Sequence, residues 1–219
     1  MVKICRSFPA PPSLELEAKK ANGSYNKPDV VTRLRDDFND KCYICELKGL
    51  QDPEVEHLIP HENGKYHDRM FDWNNLFFVC KHCNGVKKAK KYDSGIIDCC
   101  RQDPEKLLDF DFEAGIIKVS ALDKNDKKSA LTAELIYEVF NNSNSGIQLV
   151  ATEKRVKGLS ESMNILYKEL QKYKSNPRSK RNQRTLKAIL RKESDFAAFK
   201  RNYVRKRLDE YPELNTYVS

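Results

Sequence analysis

Absent from this chain is any apolar run approaching the roughly 20 residues that a bilayer-spanning helix needs. The opening Met1-Val2-Lys3-Ile4-Cys5-Arg6 is also too short in its apolar part for a signal peptide. Together these absences predict a soluble, cytoplasmic protein with no membrane contact. No Gly-rich phosphate loop occurs, so nucleotide hydrolysis must come from another protein. Neither an internal repeat nor a low-complexity tract is visible, which excludes solenoid and disordered-tail classes. An even, disulfide-ready set of cysteines is missing as well. There are seven, and four of them fall into two Cys-x-x-Cys pairs, a pattern that fits reduced thiolates on a metal better than a disulfide framework.

What is present begins with charge. The net charge is +8, and residues 151–219 hold 18 Lys and Arg against 8 Asp and Glu, a difference of +10, so residues 1–150 sum to −2. A basic C-terminal third is the electrostatic footprint of a polyanion partner, although basic helices are often no more than a solvated face. At 219 residues the chain can bury a core without disulfide help.

Along the chain, Pro9, Pro11, Pro12 and the Ala21-Asn22-Gly23-Ser24 turn mark residues 1–27 as an N-terminal arm. Pro28 suits a first helical turn, and Val30, Val31, Leu34 and Phe38 recur at helical spacing. Val55 to Ile59 reads as a strand ended by Pro60, and Leu76 to Val79 as a second, with a helix after Cys83: a ββα order. Residues 98–128 read as a connecting segment, with a β-hairpin turning at Glu113-Ala114-Gly115. Residues 129–219 carry helical stripes, Leu131 to Phe140 and Val156 to Tyr173 among them, a break from Asn141 to Gly146, and Ser194 as an N-cap. The expected architecture is α+β and mostly helical, with a ββα module at 28–97 and a helical, basic C-terminal region at 129–219 for partner or nucleic-acid contact.

The chemistry gathers between Cys42 and Lys87. Cys42, Cys45, Cys80 and Cys83 form two knuckles, each able to place two thiolates on one tetrahedral ion. Four thiolates suit zinc and leave no position for water, so the ion is expected to be structural. Between the knuckles lie Glu56 and His57, and Asn84 follows the last cysteine. Glu56 and Asn84 offer oxygens to a hard divalent cation, Mg²⁺ or Mn²⁺, and a neutral His57 can take a proton from water. His61 is an accessory candidate, against the alternative of a loop histidine.

Val55-Glu56-His57-Leu58-Ile59-Pro60, Asn75-Leu76 and Cys80-x-x-Cys83-Asn84-x-x-Lys87 resemble the HNH endonuclease motif, a ββα-metal module. The resemblance implies that His57 is the general base, that Glu56 and Asn84 hold the catalytic cation, and that Asn75 braces the loop, with Asn74 able to take that role. It also implies that Lys87, with Lys88, meets nucleic-acid phosphate. The chain departs from the commonest pattern in carrying Glu rather than Asp before the base and Asn rather than His at the third position. Flanking segments, among them Lys3-Ile4-Cys5-Arg6-Ser7 and Phe71-Asp72-Trp73-Asn74-Asn75-Leu76, resemble the PtuB-like HNH component of Septu-type anti-phage systems. That family implies an ABC- or SMC-like ATPase partner, sometimes alongside a retron reverse transcriptase and its DNA–RNA product. The expected function is therefore a metal-dependent endonuclease acting on nucleic acid, DNA favoured, as a defence effector. The alternatives are an RNA-cleaving effector and a non-catalytic zinc-knuckle subunit that binds nucleic acid.

Overall fold

Proline opens the first two helices of the computed structural model, which describes residues 1–142 and 145–219. Helices α1 (Pro12–Ala18) and α2 (Pro28–Asp37) both begin at a Pro, whose fixed φ suits the first turn and whose missing N–H would be unpaired there anyway. Residues 1–27 do not form the expected arm. Met1, Val2, Ile4 and Leu14 are buried, and the Arg6 guanidinium lies 4.8 Å from the Trp73 ring while donating to the Trp73 and Leu76 carbonyls at 2.8 Å each. Proline spacing predicts a stiff chain, whereas the apolar residues between the prolines decide that it packs.

The module that positions the site is an antiparallel pair followed by a helix. Strand β1 (Pro53–His57) pairs with β2 (Leu76–Cys80), Glu56 opposite Phe77 and His57 opposite Leu76. All five residues of β2 are buried, which accounts for its continuous apolar run. Between the strands lie the short helix α3 (His67–Phe71) and a 3₁₀ turn at Trp73–Asn75, started by the Asp72 carboxylate accepting from the Asn74 N–H at 2.9 Å. Helix α4 (Lys81–Lys87) follows β2 directly.

A second antiparallel sheet, β3 (Leu108–Glu113) with β4 (Ile116–Ala121), turns through Ala114 and Gly115 at φ 49° and 80°. Two successive positive φ values define the tight turn whose twist matches paired strands. Helix α5 (Lys127–Asn141) is capped by Asp126, and α6 (Gly146–Ser175) by Ser145. Of their predicted stripes, Leu135, Ile136, Val139 and Phe140 on α5 and Leu159, Met163, Leu166, Leu170 and Tyr173 on α6 are buried, while the leading Leu131 and Val156 are half-buried against the core. Of the expected break from Asn141 to Gly146, Ser143 and Asn144 lie outside the described residues.

Helices α7 (Lys180–Ile189), α8 (Ala197–Arg205) and α9 (Asn215–Val218) complete the chain. Ser194 is not the cap of α8. Its hydroxyl donates to the Ile189 and Arg191 carbonyls, while the Ala198 N–H is taken by the Glu46 carboxylate at 3.0 Å. An acceptor from the first knuckle thus satisfies a helix end more than 150 residues away. The buried apolar residues form one cluster running from Met1 to Val218. Among the described residues no helix is long and apolar enough to cross a membrane.

Candidate functional site

The four knuckle cysteines converge. Cys42 and Cys45 come from the turn after α2, Cys80 ends β2 and Cys83 lies in the first turn of α4. Their sulfurs all lie within 4.8 Å of one another, are buried, and include a Cys45–Cys80 separation of 3.9 Å. Sulfurs about 2.3 Å from a tetrahedral ion would be about 3.8 Å apart, so the cluster has the dimensions of a metal site. Burial pushes the Cys42 and Cys83 thiols well above their usual range, while hydrogen bonds from Cys42, Cys45 and Cys83 draw Cys80 strongly down. Arg155 of α6 also lowers Cys80, donating Nη2 to its sulfur at 2.8 Å.

Apart from the cysteine cluster, a pocket of about 330 Å³ is lined by Glu56, His57, His61, Asn84, Lys87 and Tyr25, among others. The His57 Nε2 lies 3.0 Å from the Met70 carbonyl. A carbonyl can only accept, so Nε2 carries the proton and Nδ1 is the basic nitrogen. Burial is the main cause that lowers the His57 pKa to about 4, with the charges of His61 and Lys87 adding to it and Met70 opposing. At neutral pH the ring is therefore uncharged and ready to accept a proton.

Asn75 holds the loop that supplies Met70. Its Oδ1 accepts from the Ile59 N–H at 2.9 Å, and its Nδ2 donates to the carbonyls of Ile59 at 2.9 Å and Arg69 at 3.0 Å. Asn74 instead turns to Asp72. The Gly64 N–H is accepted by Nδ1 of His61, whose ring lies 4.5 Å from that of His57.

Glu56 is buried between Tyr43, whose hydroxyl donates to Oε1, and Lys87, whose Nζ lies 3.0 Å from Oε2. Burial raises the Glu56 pKa, with Lys87 and Tyr43 pulling the other way. Asn84 donates Nδ2 to Glu54 at 2.6 Å; its Oδ1 has no hydrogen-bond partner among the described residues. Glu54 and Glu56, two apart on β1, share a strand face.

Lys87 departs from the phosphate contact that the motif implies. It is 5% exposed, and its ammonium serves Glu56 and the carbonyls of His57 at 2.9 Å and Leu58 at 3.1 Å. An ammonium has three protons, and all three are engaged. Lys87 is the counter-ion of Glu56, whereas Lys88 stands exposed at the pocket rim.

His57, Glu56, Asn84 and His61 line one pocket, Asn75 lines a different cavity and reaches this site through the Ile59 and Arg69 backbone, and the four cysteines form a separate centre. Sequence reasoning missed Glu54, Tyr43, Tyr25 and Arg155. Two-residue spacing on β1 signals Glu54; nothing local signals the others. Tyr25, from the α1–α2 connection, sets its ring 4.5 Å from that of His57, edge to face.

Residues 42–90 match the family model described as HNH endonuclease. The chain is similar to Septu protein PtuB of Bacillus thuringiensis, 33% identical over 72 residues, which is 32% of this chain and 27% of that protein. It is also similar to UvrABC system protein A of Rhizobium meliloti (strain 1021), 33% identical over 89 residues, which is 41% of this chain and 8% of that protein. The matched stretches thus span about a quarter, and under a tenth, of these relatives' lengths.

Proposed function

We propose, from the match of residues 42–90 to the HNH endonuclease family model and from the geometry around His57, that this chain is a metal-dependent endonuclease that hydrolyses phosphodiester bonds in nucleic acid, DNA in preference to RNA. The carrying observation is the tautomer of His57: its Nε2–H is held by the Met70 carbonyl, so Nδ1 is free to take a proton from an attacking water. Asn75 keeps that carbonyl in place through its bonds to the same loop. The Tyr25 and His61 rings each pack edge-on against the His57 ring at 4.5 Å between ring centres, which limits its solvation.

In this reading the four cysteines hold a structural zinc ion, because four soft ligands select zinc and close its coordination sphere. Glu56 and Asn84, with Glu54 beside them, would hold Mg²⁺ or Mn²⁺ through oxygens. Such an ion, when bound, stabilises charge on the scissile phosphate and the leaving oxygen. The donor set fits: the Glu56 carboxylate has about four lone-pair sites, of which Tyr43 and Lys87 take one on each oxygen, and Asn84 keeps a free amide oxygen.

Phosphate contact beyond the pocket falls to Lys88 and to α7. Lys180, Arg181, Arg184 and Lys187 have no ion pair or side-chain hydrogen bond among the described residues, whereas Lys172, Lys174, Lys192, Lys200 and Lys206 are each paired with a carboxylate. The likeness to Septu protein PtuB supports a role as a defence effector in the cytoplasm, restrained and triggered by an ABC- or SMC-like ATPase subunit. A retron reverse transcriptase with its DNA–RNA product is a further partner in this reading.

The test is cleavage of plasmid DNA and of total RNA with Mg²⁺ or Mn²⁺, comparing the wild type with His57→Ala, each alone and with the neighbouring ATPase. Loss of a general base is expected to slow cutting about 10²–10⁴-fold while metal content and fold persist. Cutting that survives the substitution would remove His57 from the mechanism. No cutting of either substrate in any combination would favour the non-catalytic nucleic-acid-binding subunit.

A further inference from the structure

Arg155 has no part in the pocket around His57, yet it is a buried cation set against the cysteine centre. It lies in the first third of α6, 75 residues from Cys80, and is 5% exposed. Nη2 meets the Cys80 sulfur at 2.8 Å, and Nη1 donates to the Ala151 carbonyl at 2.5 Å. Nε is buried with no hydrogen-bond partner. No carboxylate pairs with this guanidinium among the described residues. A buried cation is expensive unless an anion answers it, and among the described residues the cysteine sulfurs stand where that anion would be.

Four thiolates around a divalent ion leave a net double negative charge in a buried place, the complementary imbalance. Two buried imbalances of opposite sign in contact stabilise each other. Neither is answered if the sulfurs are protonated and metal-free. The same helix is built to come close: Gly158 has no side chain, and a Cβ there would stand 3.3 Å from the Phe196 ring and 3.8 Å from Leu47, two residues beyond Cys45. Thr152, Arg155 and Leu159, which share a helix face, are all buried.

We propose that Arg155 is the counter-ion of the four-cysteine centre, so that retention of its metal depends on α6 being docked. Arg155 is a positioning residue and not a metal ligand. This rests on the reading of that centre as a zinc site. The module matched over residues 42–90 is then incomplete by itself, its charge balance being supplied by the helical region that follows.

The experiment uses the full chain as wild type, Arg155→Met, Arg155→Lys and the exposed neighbour Lys154→Met. Zinc content is measured first; then release of zinc to excess chromophoric chelator, and thermal unfolding with zinc bound and removed. Arg155→Met keeps the bulk and removes the charge, so release should accelerate about 10–100-fold, the range for outer-shell partners of a metal site. Its thermal midpoint should fall in the zinc-loaded protein and hold or rise in the metal-free one, where Arg155 is an unanswered charge. Arg155→Lys should stay within a few-fold of wild type, and Lys154→Met should match it. Wild-type release from Arg155→Met, equal destabilisation of both forms, or Arg155→Lys behaving like Arg155→Met would each overturn the proposal. Should Arg155→Met fail to fold, the Arg155→Lys comparison still decides. A wild type that binds no zinc would instead overturn the zinc reading and the proposal with it.

Discussion

His57 shows how one side chain's environment sets its chemistry. Its pKa is about 4 in the folded chain against 6.5 for the unperturbed group, so between those values the unfolded chain holds a proton that the folded chain rejects. Stability therefore rises with pH across this window; the contribution is complete above about 6.5 and is lost as pH falls towards about 4. Its size is on the order of 3 kcal/mol for this shift. Urea unfolding of metal-free protein from pH 7 to pH 4 should show this loss in the wild type and a flatter profile in His57→Gln. An equal slope in both would mean that another group carries the titration. The residue pattern Glu-His makes His57 a candidate base. Its tautomer, however, depends on the Met70 carbonyl, 13 residues away, next to the Arg69 carbonyl that Asn75 holds.

At the scale of elements, α7 is the clearest departure from ordinary surface chemistry. Lys180, Arg184 and Lys187 follow i, i+4, i+7 and so share one stripe, opposite the buried Leu186. Unpaired cations in a row suit a phosphate backbone, and each phosphate neutralised releases counter-ions. Replacing all three with Gln should weaken duplex binding by a His57→Ala background protein. The slope of log affinity against log salt should shrink by about 2.7, three contacts at about 0.9 each. An unchanged slope would assign the stripe to a protein surface or to solvent. Composition alone indicates a basic C-terminal third, but it cannot separate this stripe from Lys206, which sits 2.8 Å from Asp109 on β3. Pairing is a property of neighbours, and those neighbours are nearly 100 residues apart in the chain.

For the whole molecule, the continuous core makes the 42–90 stretch a part and not a unit. Phe38 packs edge to face on Phe77, Arg6 on Trp73, Phe196 hydrogen-bonds Glu46, and Arg155 reaches Cys80. A peptide of residues 42–90 with one equivalent of zinc is expected to lack the cooperative thermal transition of the full chain. A sharp transition in the peptide would show that the module folds alone. What the sequence determined by itself is local: the cysteine spacing that can grip one ion, the Glu-His pair on a strand, and the stripes that become α5 and α6; the helix expected after Cys83 instead starts at Lys81, so Asn84 lies inside it. Such features depend on residues within a few positions of one another, where covalent geometry and helical or strand period already constrain what meets. Only the tertiary structure decided that Lys87 neutralises Glu56 and does not face solvent, that Tyr25 covers His57, that the proline-rich start is packed, and that Arg155 faces the cysteines. The fate of a charge or a ring is set by what the folded chain brings within a few ångströms of it, and here those partners come from 13 to 75 residues away along the sequence, Lys87 and Glu56 being 31 apart.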